Sequence, residues 1–312
     1  CGKSTLIRMF ESRLPKDKYM LLYLSDSKLT PRWLYAGLLD QMGLEARFHR
    51  GDSKRRLQKE IEQQILDAWR EEAERLHDAH EFSEDGILYR GKIFFEDNAW
   101  HRETGDEETL WLKAERNLLI ITKELNDTEA WNIREETGRP NVIDFSYQKG
   151  VPFIKNLRMW SYGILHSTPN YYPDFEEARN MELSGPFFEK APIAHVNCKK
   201  QCGGATISQK TLSEYINRYS RFLKEQIALY DADVILCCGN ANGQNLILNF
   251  VKSQYLEDLC PVDGTDGWIY YSPSTRKIVI DSYHPSARIG YEETYYAMMS
   301  GFMLTLKNME NA

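Results

Sequence analysis

Three polar residues in the second part of this 312-residue chain combine side-chain types that could cleave a bond. They are Glu124, Asn197 and His284, and each closely follows an apolar run. A carboxylate can stabilise a developing cation or orient a water molecule, and a neutral imidazole can donate a hydrogen bond to an oxygen that gains negative charge. An amide offers both a donor and an acceptor for reading a polar ligand. Together the strand ends supply a carboxylate, an amide and a histidine, which are groups that can act on a bound ligand.

These residues need elements that bring them together. Four apolar runs predict strands, and they are Leu118–Thr122, Ile193–Val196, Val234–Cys238 and Ile278–Asp281. Helical patterns separate the strands, at Phe153–Leu165, Thr211–Leu229 and Gln244–Leu256. Continuous apolar strands spaced by helices favour a three-layer α/β/α fold with a four-stranded parallel sheet. The carboxyl ends of such strands open into loops that bind ligands, so we expect the three polar residues to meet there.

The segments "LLIITKELND", "IAHVNCKK" and "YHPSARIG" resemble three motifs of the uracil-DNA glycosylase superfamily. The resemblance covers residues 83 to 310 approximately; it is strongest at His-Pro-Ser and loosest at the first motif. It implies a four-stranded parallel sheet, with Glu124 and His284 as catalytic residues and Asn197 as the reader of the base. Members of that family with an N-terminal Cys-x2-Cys pair hold an iron–sulfur cluster, and this chain lacks the pair, so we expect no cluster.

The first motif departs from the family pattern. Members with glutamate at this position usually read Gly-Glu-x-Pro-Gly, whereas this chain has Lys123 before the glutamate and Asn126-Asp127 after it. Asn126 and Asp127 therefore remain alternatives to Glu124, and they are also candidates for binding the substrate. The departure leaves open a different damaged base, or a domain that binds nucleic acid without cutting it.

The chemistry that the resemblance implies is excision of a base from DNA. Such an enzyme flips the nucleotide into a pocket and reads its hydrogen-bonding edge. The glycosidic bond then stretches towards a cationic sugar, which Glu124 would stabilise, and an anionic base, which His284 would face. DNA that contains uracil or a related base is the expected partner, and no metal is required. The candidates for an aromatic platform under the base are Phe153, Trp131 and Trp160.

The last loop and two lysines supply candidates for contact with the nucleic acid. Pro285 would stiffen the loop, and the hydroxyl of Ser286 could donate to a phosphate. Arg288 stands where family members carry a residue that enters the base stack, and Ile289 is an apolar alternative. The two candidates for contact with the DNA backbone are Lys199 and Lys200.

Each of these residues also has a simpler interpretation. A glutamate after a strand often caps a helix or forms an ion pair, and Asn197 could cap a turn. Lysines and arginines are usually solvated, and aromatic residues at helical spacing usually pack in a core. The glycine-rich segments "QCGGAT" and "CGNANG" could instead cradle an anion, which would make this part of the chain a nucleotide- or ligand-binding module.

The start of the chain, "CGKSTLIRMF", carries the end of a phosphate-binding loop without its leading glycine and strand. Residues 1–62 resemble the AAA ATPases associated with transposition and secretion, which implies nucleotide binding by Gly2, Lys3, Ser4 and Thr5. Tyr19–Leu24 predicts a strand and Pro31–Met42 a helix. No Asp-Glu strand end follows, so we expect a truncated remnant. ATP and magnesium are cofactors only if this loop works, and an ATP-binding AAA protein is the rival hypothesis.

Charge and cysteine content bound the remaining possibilities. Residues 1–60 hold 13 Lys and Arg against 7 Asp and Glu, whereas residues 61–312 hold 26 against 39. The acidic second part argues against nucleic-acid binding through a general basic surface. The six cysteines form no regular framework, and a metal site at His195, Cys198 and Cys202 is disfavoured because strand alternation points His195 and Cys198 to opposite faces.

These observations divide the chain into three parts. We expect a truncated phosphate-loop fragment at 1–62, a charged helical junction at 63–82 and a uracil-DNA glycosylase-like domain at 83–312. No run of about 18 apolar residues predicts a membrane span, and no signal peptide opens the sequence. A cytoplasmic protein without membrane partners is therefore expected.

Overall fold

The computed structural model describes residues 2–15, 20–24, 30–45, 50–78, 81–127, 129–138, 152–204, 206–288 and 290–311. The helices are α1 Gly2–Arg13, α2 Pro31–Gln41, α3 Arg50–Arg75, α4 Glu107–Lys113, α5 Ile133–Gly138, α6 Pro152–His166, α7 Phe175–Arg179, α8 Met181–Phe188, α9 Gln209–Arg218, α10 Ser220–Tyr230, α11 Leu246–Phe250 and α12 Tyr291–Glu310. The strands are β1 Gly86–Ile87, β2 Ile93–Glu96, β3 Ala99–Arg102, β4 Leu118–Thr122, β5 Ile193–Asn197, β6 Val234–Asn240, β7 Cys260–Pro261, β8 Ile269–Ser272 and β9 Lys277–Tyr283.

The chain divides into two compact units, residues 1–63 and 64–312. In the first unit α2 confirms the helix predicted from Pro31, whereas residues 20–24 form no strand. The backbone N–H and carbonyl of Tyr23 bond instead to the Gln41 side chain, at 2.6 and 2.8 Å. Gly2, Lys3, Ser4 and Thr5 lie in the first turns of α1, and their side chains fall outside the described residues.

The second unit is built on a mixed sheet of seven strands in the order β1-β5-β4-β6-β9-β8-β7. The four predicted strands are its central members, and they pair parallel, β5 with β4, β4 with β6 and β6 with β9. Strand β1 joins one edge antiparallel, and β8 and β7 extend the other. The expectation of a four-stranded parallel sheet is therefore wrong in strand number and in direction at the edges.

The central strands lie inside because both of their faces are apolar. One face packs a cluster that includes Leu119, Ile121 and Val196 against α9, α10 and α11. The other face packs a cluster that includes Leu118 and Ile120 against α6, α7, α8 and α12. Helices therefore cover the sheet on both sides, and a ligand can approach the central strands at the loops beyond their carboxyl ends.

Three predicted helices differ from those observed. The charged helix expected over 63–82 begins earlier and ends earlier, because it belongs to α3, whose polar amphipathic pattern runs from Arg50 to Arg75. The helix expected over 211–229 is broken at Tyr219, where φ is −109° and ψ is 18°. The helix expected over 244–256 begins at Leu246, and its second half, Val251–Tyr255, is wound as a π-helix. The helix expected at Phe153–Leu165 is confirmed as α6.

Candidate functional site

A cavity of about 610 Å³ opens at the carboxyl ends of the central strands. Glu124, Asn197 and His284 all line it, although they lie far apart in the sequence. They meet because β4, β5 and β9 run parallel, so that the segments after them emerge at the same edge. The other predicted site residues that line this cavity are Asn126, Phe153, Trp131 and Ser286.

Glu124 forms an ion pair with Lys199, with 2.6 Å between Oε2 and Nζ. The two side chains are only 7% and 9% exposed. The Lys199 ammonium also donates to the backbone carbonyls of Gln201 and Cys202, at 3.1 and 3.0 Å. The expectation that Lys199 contacts a nucleic-acid backbone is therefore wrong, because its charge is turned inwards to the carboxylate. None of the described residues donates to Oε1 of Glu124, so this oxygen is available to a ligand or water.

The loop after β5 approaches Glu124 closely because it contains a glycine. Gly203 donates its backbone N–H to the carbonyl of Leu125 at 3.0 Å, and it bridges in parallel to Asn126. A Cβ atom at Gly203 would lie 2.3 Å from Oε2 of Glu124. The absence of a side chain at this position is therefore what lets the carboxylate keep its place beside Lys199.

Lys200 is fully buried, and it stabilises the site through its contact with Asp85. Its ammonium lies 2.6 Å from both carboxylate oxygens of Asp85 and 2.9 Å from Oε1 of Gln226. It also lies 4.7 Å from the centre of a Trp69 ring. Asp85 in turn accepts the backbone N–H of Asn197 at 2.7 Å. Lys200 therefore holds the end of β5 in place. The expectation that it contacts the DNA backbone is wrong, because its ammonium is buried.

His284 begins a tight turn. The N–H of Ala287 donates to the carbonyl of His284 at 2.8 Å, with Pro285 second in the turn, a position that its fixed φ suits. The buried amide of Asn156 on α6 donates to the carbonyl of Pro285 at 2.7 Å. The turn is thus rigid at two points. Asn156 could not be identified from the sequence, because no neighbouring residue distinguishes a helix amide that binds a distant turn from one that faces solvent.

The His284 imidazole is neutral, and its proton has a defined position. Burial, and then the charge of Lys123, lower the pKa of His284 to about 4. The backbone N–H of Ser286 donates to Nδ1 at 3.2 Å. Because Nδ1 accepts, the single proton of the neutral ring sits on Nε2. The ring therefore offers a hydrogen-bond donor at neutral pH.

The Asn197 side chain is held by Thr122, which His195 contacts in turn. The hydroxyl of Thr122 donates to Oδ1 of Asn197, and Nε2 of His195 lies 2.7 Å from the same hydroxyl oxygen. The parallel register sets Thr122 beside Asn197 and Ile120 beside His195. Burial is the largest cause that lowers the pKa of His195, to about 3. Alternation along β5 is the signal from which His195 could have been found.

Phe153 lies between the two histidines. Its ring centre is 5.8 Å from that of His195 and 5.6 Å from that of His284, with an interplanar angle of 40° in each case. Trp131 also lines the cavity, and its Nε1 donates to Asp127 at 3.1 Å. Trp160 is 3% exposed in the apolar cluster beneath, so its candidacy as a stacking platform is wrong.

Some of the remaining predicted residues line the cavity, and others do not. Ser286 is exposed and lines the cavity, whereas Asp127 and Arg288 are exposed and do not. Lys123 lines the cavity, and burial lowers the pKa of its ammonium against the opposing effect of Glu124. Ile289 lies outside the described residues. Asp127 is thus poorly placed to replace Glu124, while Asn126 remains at the cavity wall.

The described part of the chain contains no group of three or more His, Cys, Asp or Glu side chains that could hold a metal ion. Its helices also include none that is long and apolar enough to cross a membrane. No family model matches the sequence, and a search of curated proteins finds no match either.

Proposed function

We propose that this chain is a DNA base-excision hydrolase that flips uracil, or a related damaged base, into the cavity and cleaves its N-glycosidic bond. One observation carries the proposal: a carboxylate, an amide and a neutral donating imidazole, Glu124, Asn197 and His284, line one cavity at the carboxyl ends of parallel strands. The three motifs that resemble the uracil-DNA glycosylase superfamily support it. Such a superfamily fold for the second unit is part of the same proposal.

The cavity suits a flipped nucleotide. Its volume of about 610 Å³ falls within the range of small-molecule sites, which runs from roughly 300 to 1,000 Å³. Phe153 offers the flipped base a ring to stack against, and the amide of Asn197 reads its edge. Ser286, exposed at the mouth, would donate to a flanking phosphate. Arg288, exposed beyond the cavity, would fill the space that the base vacates.

Cleavage requires two opposite charges to be stabilised at once. The bond between the sugar C1′ and the base nitrogen breaks with its electron pair moving to the base, and the sugar becomes a cation. The Nε2–H of His284 donates to the base oxygen where the negative charge accumulates. The Glu124 carboxylate stabilises the cation and orients a water through Oε1. The water oxygen bonds to C1′, and its released proton neutralises the departing base.

The proposal is tested with a uracil-containing oligonucleotide and four variants. Glu124→Gln and His284→Ala each remove a proposed catalytic group, and we expect losses of about 100-fold or more in the rate of abasic-site formation. Glu214→Gln on α9 and His101→Ala on β3 change the same residue types at exposed positions away from the cavity, and they should keep the wild-type rate. Equal rates in all five proteins, or no base release by the wild type, would overturn the proposal.

A further inference from the structure

Three buried side chains form a hydrogen-bonded chain that ends at the cavity. They are His195, Thr122 and Asn197, which are 3%, 1% and 2% exposed. Nε2 of His195 lies 2.7 Å from the Thr122 hydroxyl, and that hydroxyl contacts Oδ1 of Asn197. The remaining ring nitrogen, Nδ1 of His195, is buried without a hydrogen-bond partner among the described residues.

The Thr122 hydroxyl can donate only one hydrogen bond. The hydrogen bonds that link the three side chains can therefore be arranged in only two directions. In the first, Nε2–H of His195 donates to Thr122, Thr122 donates to Oδ1 of Asn197, and the amide NH₂ is left for the ligand. In the second, Thr122 donates to Nε2 of His195, and the Asn197 amide is turned so that its NH₂ donates to Thr122. The amide oxygen is then left for the ligand. The tautomer of His195 and the group that Asn197 presents are thus coupled.

The burial of Nδ1 selects the first direction. In the second direction the neutral ring would carry its proton on Nδ1, which would leave a buried N–H donor without an acceptor. Orphaned buried N–H groups are rarer in proteins than under-satisfied acceptors. A pKa of about 3 keeps His195 neutral throughout the physiological range, so a ring with both nitrogens protonated does not intervene. In the favoured direction none of the described residues accepts from Nδ2 of Asn197, which leaves that donor for a ligand in the cavity that Asn197 lines.

We infer that Thr122 and His195 are positioning residues that fix the Asn197 amide with its NH₂ group towards the ligand. The cavity then takes a base with a carbonyl oxygen at the facing position, as in uracil. It disfavours a base with an exocyclic amine there, as in cytosine, because two donors would oppose each other. This inference rests on the proposed function, and it names the residues that set which base the same site accepts.

The test compares uracil with cytosine at one position of otherwise identical oligonucleotides. Thr122→Val keeps the shape of the side chain but removes the hydroxyl, and Thr122→Ser keeps the hydroxyl. We expect Thr122→Val to slow uracil excision and to shrink the ratio of uracil to cytosine rates by about 10-fold or more, the scale of one lost hydrogen bond in a transition state. Thr122→Ser should keep both the uracil excision rate and the rate ratio near their wild-type values. An unchanged ratio in Thr122→Val, or equal defects in both variants, overturns the inference.

A measurement that needs no catalysis separates this inference from the proposed function. In protein with ¹⁵N-labelled histidine, the nitrogen shifts of His195 report which ring nitrogen carries the proton. We expect a proton on Nε2 in the wild type and in Thr122→Ser. A proton on Nδ1 overturns the inference even if uracil is excised. Failure of the wild type to release any base, with the Nε2 proton present, overturns the proposed function but leaves the positioning of Asn197 intact.

Discussion

The carboxylate of Glu124 works beside an ammonium, and this pairing governs what the residue can do. Breaking a buried pair by removing one partner costs about 3–5 kcal/mol, because the other charge is left uncompensated. Lys199 therefore fixes the position of Glu124 firmly. It also offsets part of the negative charge that a cationic sugar would meet, so placement of water through Oε1 is the larger part of the proposed action of Glu124.

Gly203 gives a sharp test of this arrangement. Gly203→Ala would put a Cβ atom 2.3 Å from Oε2 of Glu124, so the carboxylate must move. We expect base excision to fall by about 10-fold or more, since a displacement of about 1 Å at a reacting group can cost roughly 100-fold. Gly204→Ala is the matched control, because no atom lies within 4 Å of a Cβ there. Equal rates for the two variants would contradict the importance of the close approach.

The buried His195 and the half-buried His284 predict an acid-sensitive fold. The pKa of His284 is about 4 and that of His195 about 3 in the folded protein, against about 6.5 in an unfolded chain. Between pH 6.5 and 4 the unfolded state binds more protons, so the stability is fully present above pH 6.5 and is lost as the pH falls. Each histidine contributes a slope of up to about 1.4 kcal/mol per pH unit.

Urea unfolding of the wild type and of His284→Gln at pH 7, 6 and 5 measures this slope. The variant has lost one of the two groups, so its free energy of unfolding should fall less steeply with decreasing pH, by up to about 1.4 kcal/mol per unit. Carboxylates that titrate in this range affect both proteins alike. Identical slopes would show that His284 does not resist protonation in the folded state.

Sequence reasoning found the residues at the strand ends but misjudged those that support them. Glu124, Asn197 and His284 could be predicted because an apolar run that stops at a polar residue marks the edge of a sheet. Lys199 and Lys200 could not be assigned, because a lysine pair in a loop has the composition of a solvated surface. The partner of Lys200 is Asp85, 115 positions away and outside any motif. Only the folded pairing of β1 with β5 brings the two together.

Asn245 joins the start of α11 to the end of the sheet. Its Oδ1 accepts the backbone N–H groups of Ile247 and Leu248, at 3.0 and 3.2 Å, as a helix cap. Its Nδ2 donates to the carbonyl of Cys237 and to the carboxylate of Asp281, at 2.8 and 2.7 Å. One side chain thus satisfies four groups on β6, β9 and α11.

Replacement of this residue should therefore be costly. Asn245→Ala loses the cap and leaves Asp281 with one amide partner fewer, and we expect a decrease of about 2–3 kcal/mol in the free energy of unfolding. Asn249→Ala, an exposed position on the same helix, should change it by less than about 0.5 kcal/mol. Urea denaturation of both variants measures the two free energies of unfolding. A similar small decrease in each would mean that the cap does not stabilise the fold.

Elements with a clear apolar run could be predicted from the sequence, and elements without a detectable hydrophobic pattern could not. The four central strands are observed within two residues of their expected bounds, because burial on both faces demands unbroken apolar runs. The edge strands were missed because two-residue strands such as Gly86–Ile87 have no period to detect. The break at Tyr219 was missed because its cause is tertiary: the buried phenol donates to Asp78 at 2.8 Å, far away in the sequence.

The second unit carries its own core and its own cavity. Both described clusters of buried apolar residues lie within 64–312, and the cavity lining lies between residues 122 and 287. The resemblance of residues 1–62 to AAA ATPases stays a prediction, since the side chains of the phosphate-loop residues lie outside the described part of the chain.

We therefore expect a protein that begins at Gln64 to fold and to act alone. It should unfold in one cooperative thermal transition and release uracil at the rate of the full chain, because both clusters of buried apolar residues and the cavity lining lie within 64–312. Calorimetry and the oligonucleotide assay check the two expectations. A shorter protein that melts gradually would show that residues 1–63 contribute to the fold, and one that folds but is inactive would assign them a part in substrate binding.

The two outermost strands of the sheet, β1 and β7, are only two residues long, and β7 ends in a proline. A foreign strand that tried to extend the described sheet would find few unused N–H and carbonyl groups in a row, and short edges of this kind discourage such templating. We therefore do not expect this protein to bind another chain by extending the described borders of its sheet.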